Sequence, residues 1–123
     1  MYIQIRLELF VADLQKSIQF YEEILGFNFF NKTEKSAVMR LNDFALLLTP
    51  DYILHKDHYL RKGGLTPKGK GIEIIVAVQN VEQIYEHVLE RDYLIESALQ
   101  PQPWGMRDFR LSDPDGYYLR ITS

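Results

Sequence analysis

The chain repeats one succession of patterns, first around Asp13 and again around Asn80. Before each of these residues, apolar and polar residues alternate as in a half-buried strand. After each of them follows a helical stripe of apolar residues. A shift that places Asp13 on Asn80 also places Leu14 on Val81 and keeps the apolar strand positions in phase. The sequence therefore predicts two copies of one β-α-β-β-β unit.

The first copy begins with residues 2–11, whose nearly perfect alternation predicts a long first strand. Asp13 is suited to cap a helix that runs to about Leu25, and Gly26 is suited to end that helix. Three short strands are then predicted at 27–30, 37–41 and 44–49.

Residues of about 51–70 lose this periodicity and contain Gly63, Gly64 and Pro67, so we predict a linker there. The chain is then a single domain, 1–123, with module one at about 1–50 and module two at about 71–123. Asn80 caps the second helix, and Gln83 occupies the capping-box position.

The second copy ends in a hairpin that turn chemistry alone predicts. Asp113-Pro114-Asp115-Gly116 places Asp at the first position of a type I turn, Pro at the second and Gly at the fourth. Strands are predicted on either side, at 106–112 and 117–122. One face of the final strand is apolar and the other carries Arg120, so this sheet has a polar side.

Composition limits the classes of partner. A formal net charge of -3 disfavours nucleic acid and anionic membranes as partners. The chain has no cysteine, which excludes disulfides and thiolate metal sites and is typical of an intracellular protein. No segment resembles a signal peptide or reaches transmembrane length. The cytoplasm is the expected location.

If each helix covers the apolar face of its strands, the opposite faces of the two copies line a shared concave cleft. Two arginines and two glutamates on that face are costly to enclose unless they are paired or bound to a ligand. The residues predicted on it are Arg6, Glu8, Phe10, Glu73, Ile75, Ala77, Tyr118, Arg120 and Thr122.

The opening LELFVADLQKSIQFYEEILGF and the close PWGMRDFRLSDPDGYYLRI make the chain resemble the glyoxalase/bleomycin resistance/dioxygenase superfamily, also called vicinal oxygen chelate proteins. The resemblance implies an α+β fold in which two βαβββ modules form a curved mixed sheet around a cleft, with helices on the outer face. Trp104-Gly105 before the final hairpin is similar to the bleomycin-resistance-like branch. That branch implies a domain-swapped homodimer.

The metal-ligand positions that the resemblance implies hold Arg6, Glu73 and Arg120 here, and the fourth falls near Leu47. Guanidinium has no lone pair to give a divalent ion. We therefore predict no metal and no cofactor, and metal-dependent lyase, isomerase or dioxygenase activity is not supported.

The leading hypothesis is a small-molecule-binding protein that sequesters an antibiotic-like or anionic aromatic ligand. The alternatives are an enzyme of the same superfamily, in which Glu73 or Glu8 acts as a general base, and a dimer with a silent cleft. No catalytic residue is otherwise predicted. The charged cluster is equally compatible with a purely structural ion-pair network, and Trp104 with a packed lid or a dimer contact. The predicted ligand-binding residues are Arg6, Glu8, Phe10, Glu73, Trp104, Tyr118 and Arg120.

Overall fold

A computed structural model describes residues 1–33 and 35–123. The chain forms two compact units, Met1–Thr66 and Pro67–Ser123. Each unit contains one α-helix and one four-stranded sheet that combines parallel and antiparallel pairing. The predicted α+β class and the repeated βαβββ module are confirmed. No helix within the described residues is long and apolar enough to cross a membrane.

In the first unit, the strands lie in the order β1-β4-β3-β2, and β1 runs parallel to β4. Helix α1 contacts β3 and β4 and so covers one face of this sheet. The elements are β1 (Leu7–Val11), α1 (Leu14–Gln19), a π-helical turn (Phe20–Ile24), β2 (Asn28–Lys32), β3 (Ala37–Leu41) and β4 (Phe44–Pro50).

The prediction of a strand over residues 2–11 is wrong in its first half. The parallel register starts with Leu7 opposite Leu46, and β4 itself begins only two residues earlier, at Phe44. Most of the segment before Leu7 therefore has no neighbouring strand to pair with. Ile3 and Ile5, two apolar members of the alternation at 2–11, are 73% and 80% exposed.

The first helix begins as predicted, because the Asp13 side chain accepts a hydrogen bond from the Lys16 backbone N–H at 3.1 Å. Its α-helical part is shorter than predicted, since the turn from Phe20 to Ile24 is π-helical. Gly26 adopts a φ of 77°, as its predicted role at the helix end requires. The segment predicted as a linker contains two 3-10 helices, Asp51–Ile53 and Tyr59–Arg61.

The second unit repeats this arrangement, with strand order β5-β8-β7-β6 and β5 parallel to β8. The Asn80 side chain caps α2 by accepting a hydrogen bond from the Gln83 backbone N–H at 3.1 Å. The elements are β5 (Glu73–Ala77), α2 (Val81–Glu90), β6 (Ser97–Pro101), β7 (Arg107–Ser112) and β8 (Tyr118–Thr122).

The predicted turn between β7 and β8 is confirmed. The Gly116 N–H donates to the Asp113 carbonyl at 3.0 Å, which closes the turn. The Asp113 carboxylate accepts from the backbone N–H groups of Asp115 and Tyr117, both at 2.9 Å. These contacts set the hairpin register, which places Arg110 directly opposite Arg120.

One face of the second sheet packs against α2. Phe109, Leu119 and Ile121 are fully buried there, and the Phe109 ring meets Tyr85 of α2 edge-on, with ring centroids 5.0 Å apart. Because side chains alternate along a strand, Arg110 and Arg120 project from the opposite face. That face carries the candidate site.

Candidate functional site

The face of the second sheet opposite α2 is called the polar face here. The strand registers arrange it in three rows, each crossing β5, β8 and β7. The central row joins Ile75, Arg120 and Arg110. The two flanking rows are Glu73, Tyr118 and Ser112 on one side, and Ala77, Thr122 and Asp108 on the other.

The Glu73 side chain contacts both arginines of the central row. Its Oε1 accepts a hydrogen bond from Arg110 Nε at 2.9 Å and lies 3.6 Å from Arg120 Nε. Glu73 and Arg120, which were predicted on one face, are therefore in contact. The hydrogen bond with Glu73 raises the pKa of Arg110, so this guanidinium remains charged.

Asp108 binds Arg110 from the other side. Its side chain is fully buried, and its Oδ1 accepts from Gln102 Nε2 at 2.8 Å and from Arg110 Nη1 at 3.5 Å. The second oxygen, Oδ2, has no hydrogen-bond partner among the described residues. Arg110 thus has two carboxylate partners, and its charge is well compensated.

Arg120 is less completely paired than Arg110. Its Nε is buried and forms no hydrogen bond within the described part of the chain. Its guanidinium carbon lies 5.5 Å from the centroid of the Trp104 ring, within the range of a cation–π interaction. About a fifth of the Arg120 side chain, 20%, is exposed. The arginine therefore retains capacity for a further anionic partner.

Trp104 belongs to a tight turn between β6 and β7. The Gly105 N–H donates to the Gln102 carbonyl at 3.0 Å, and Gly105 adopts a φ of 89° that favours glycine. The Gln102 N–H donates to the Met106 carbonyl at 2.7 Å. The turn holds the indole beside Arg120 and leaves it 54% exposed.

A depression of ≈ 380 Å³ lies next to Trp104 and Arg120. Its volume and its mixture of apolar, aromatic and cationic surface are typical of a small-molecule site. It is lined by Ile75, Ala77, Trp104, Met106, Arg120 and Thr122.

Tyr118 contributes an aromatic surface, and its hydroxyl is already engaged. The hydroxyl donates to Glu96 Oε2 at 2.5 Å. Burial, together with this hydrogen bond, raises the pKa of Tyr118 to about 12, so the phenol stays protonated at neutral pH.

The three predicted ligand-binding residues of the first unit, Arg6, Glu8 and Phe10, each have their own surroundings. Arg6 is exposed and precedes β1, so its predicted place on a strand is wrong. Glu8 accepts a hydrogen bond from Thr49 Oγ1 at 2.7 Å. The Phe10 ring is half-buried, with its centroid 6.5 Å from that of His58. Their contact with a ligand stays a prediction.

Sequence reasoning missed Arg110 and Asp108, although both take part in the cluster on the polar face. A signal for Arg110 exists. Phe109 and Leu111 alternate with Asp108 and Arg110, which indicates that Arg110 shares the polar side of its strand, although counting outward from the turn at 113–116 would pair it with Leu119 and not with Arg120. The partnership of Asp108 with Gln102 depends on the loop after β6, for which the sequence shows no comparable pattern.

In residues 1–33 and 35–123, no three His, Cys, Asp or Glu side chains form a group that could hold a metal ion. Of the predicted ligand positions, Leu47 is half-buried in β4 opposite Glu8, and Arg120 has the surroundings described above. The absence of a bound metal stays a prediction.

Comparison with known proteins gives a family match along almost the whole chain. The model of the glyoxalase/bleomycin resistance protein/dioxygenase superfamily matches residues 3–121. Bleomycin resistance proteins of Geobacillus stearothermophilus and Staphylococcus aureus are 27% identical over 114 residues, which cover 85% of this chain and 84% of theirs.

Solved structures share the fold. TioX from Micromonospora sp. ML1 superposes with a TM-score of 0.81 at 19% identity, over 97% of both chains. A lactoylglutathione lyase from Agrobacterium tumefaciens superposes with a TM-score of 0.76 at 16% identity, over 97% of this chain and 92% of that one.

Proposed function

The chain belongs to the glyoxalase/bleomycin resistance protein/dioxygenase superfamily, and we propose that it binds and sequesters a flat, anionic aromatic molecule at Trp104 and Arg120. A ligand-binding role in general agrees with its relatives, which include bleomycin resistance proteins. The chemical class of the ligand is inferred from the side chains of the site itself.

The incomplete pairing of Arg120 is the observation that carries this proposal. Its partner Glu73 accepts the shorter contact from Arg110, at 2.9 Å against 3.6 Å, and no hydrogen bond to Arg120 Nε occurs among the described residues. A guanidinium binds a carboxylate or phosphate through paired hydrogen bonds. The exposed Trp104 ring beside it offers a stacking surface for an aromatic group.

Sequestration without chemistry is favoured over turnover because the titratable groups of the site are engaged. Glu73 Oε1 is bound by Arg110, and the Tyr118 hydroxyl donates to Glu96. One oxygen of Glu73 is thus held by a guanidinium, and the Tyr118 hydroxyl already has an acceptor for its proton. Mass spectrometry of the ligand after incubation with the protein measures this. Unchanged ligand agrees with sequestration, whereas more than one equivalent of a new product per chain would identify an enzyme.

A thermal-shift comparison of 2-naphthoate with its neutral analogue 2-naphthamide tests the proposed binding. The acid is expected to raise the melting temperature, because a ligand present at a hundred times its Kd adds about 2.7 kcal/mol to the free energy of unfolding. The amide has the same rings without the charge and is expected to have a much smaller effect. Equal stabilisation by both compounds would contradict a role for the anion.

We expect the purified protein to contain no stoichiometric divalent metal, because arginine occupies two of the family's ligand positions, Arg6 and Arg120. Elemental analysis after dialysis measures this directly. One tightly held zinc, nickel, manganese or iron ion per chain, lost in Glu73→Gln, would refute the prediction and would favour the enzymatic alternative.

We also propose a homodimer in the cytoplasm. Apolar side chains of the first unit are unusually exposed in the single chain, among them Ile3 at 73%, Ile5 at 80% and Phe30 at 62%. Surfaces of this kind commonly mark protein interfaces. Light scattering at micromolar concentration is expected to give twice the chain mass, and a stable monomer would contradict the dimer. The absence of cysteine supports the location.

A further inference from the structure

A second depression lies on the same face of the second unit, with a volume of ≈ 580 Å³. It is lined by the loop 67–72 together with Glu73, Gly116 and Tyr118. Glu73 and Tyr118 form the row that directly flanks the Ile75–Arg120 row of the first depression. The two depressions therefore follow one another along β5 and β8.

The loop 67–72 is firmly held. Lys68 Nζ lies 2.9 Å from Asp115 Oδ1, and these side chains are only 6% and 5% exposed. Gly69 packs so closely against Tyr117 that an added Cβ would lie 2.7 Å from Tyr117 Cδ1. The Ile72 N–H closes a turn on the Gly69 carbonyl at 2.9 Å. Lys70, at the centre of this turn, is thus presented on a preformed backbone.

Two side chains at the depressions, Lys70 and Arg120, carry positive charge that is not fully paired. Lys70 is exposed and forms no hydrogen bond or ion pair with any described residue. Arg120 has no hydrogen-bond partner for its Nε among the described residues. The acid that lines the second depression, Glu73, is paired with Arg110. The site formed by the two depressions therefore favours one anionic group beside Arg120 and another beside Lys70.

We infer that the preferred ligand is an elongated aromatic diacid whose two anionic groups lie at Arg120 and at Lys70. The inference rests on the proposed function and assigns Lys70 a part in specificity. Adjacent rows of a strand face are about 7 Å apart, and Lys70 lies beyond the Glu73 row, so the two acids are separated by on the order of 10 Å.

Calorimetric titration with biphenyl-4-carboxylate and biphenyl-4,4′-dicarboxylate tests this inference. At low ionic strength we expect the diacid to bind more tightly than the monoacid. A factor of two follows from its two identical ends, and a further factor of about five corresponds to one partly exposed ion pair. Lys70→Gln should remove this gain and leave the affinity for the monoacid unchanged. Arg91→Gln, which removes an exposed cation at the end of α2, should preserve both affinities.

The outcomes separate the two proposals. If the monoacid binds in an Arg120-dependent manner but the diacid gains nothing, or if Lys70→Gln weakens both acids equally, the diacid inference is overturned and the proposed function stands. If neither acid binds, or if Arg120→Met leaves the affinity for both unchanged, the proposed function fails and the inference fails with it.

Discussion

Arg120→Met is expected to weaken the binding of 2-naphthoate by about 10- to 100-fold, the range for loss of a charge-assisted hydrogen bond. Methionine keeps much of the apolar stem of the side chain and removes every donor. The backbone of the Trp104 turn does not depend on Arg120, because hydrogen bonds within the turn hold it. Calorimetric titration of the variant and the wild type gives the ratio of the two dissociation constants.

Arg107→Met is the matched control for Arg120→Met. Arg107 is also an arginine of the hairpin strands, but it pairs with Glu82 of α2 and lies away from the polar face. Its loss is expected to leave the affinity for 2-naphthoate within about twofold, as for a surface change away from the site. Equal losses in the two variants would show that net charge, and not contact with Arg120, governs binding.

Phe109→Ala is expected to lower the free energy of unfolding by about 3–5 kcal/mol, the usual cost of truncating a buried aromatic residue. Phe109 is fully buried and packs edge-on against Tyr85, so its removal leaves a cavity between the hairpin and α2. Urea denaturation monitored by circular dichroism measures the change.

Leu94→Ala controls for the loss of apolar side-chain atoms in general. Leu94 is 83% exposed, and its truncation is expected to change stability by less than about 0.5 kcal/mol. If Phe109→Ala were no more harmful than Leu94→Ala, the assignment of Phe109 to the core beneath α2 would be wrong.

The parts of the fold that depend on local chemistry were predictable from the sequence. The caps at Asp13 and Asn80 and the turn at 113–116 are each specified by residues within one turn of the chain. The extent of β1 was not predictable in this way. Its alternation continues upstream to residue 2, but a strand also needs a neighbour, and β4 begins only at Phe44. Pairing of this kind depends on distant residues.

The site was predictable to the extent that strand parity determines it. The alternation of side chains predicted Glu73 and Arg120 on one face, and in the structure Arg120 Nε lies 3.6 Å from Glu73 Oε1. Parity alone does not reveal which strands are adjacent, so Arg110 escaped notice although it makes the shorter contact with Glu73. Lys70 was grouped with the linker, because the buried Lys68–Asp115 pair that fixes its loop joins residues far apart in sequence.

Trp104 is the only tryptophan in the chain, so its intrinsic fluorescence reports on the proposed binding surface alone. Titration with 2-naphthamide first establishes the optical background, and 2-naphthoate is then added over the same range. We expect a saturable change in Trp104 emission whose midpoint agrees with the calorimetric Kd and which disappears in Arg120→Met. Calorimetric binding of 2-naphthoate with unchanged Trp104 emission would place the ligand elsewhere and contradict the proposed site.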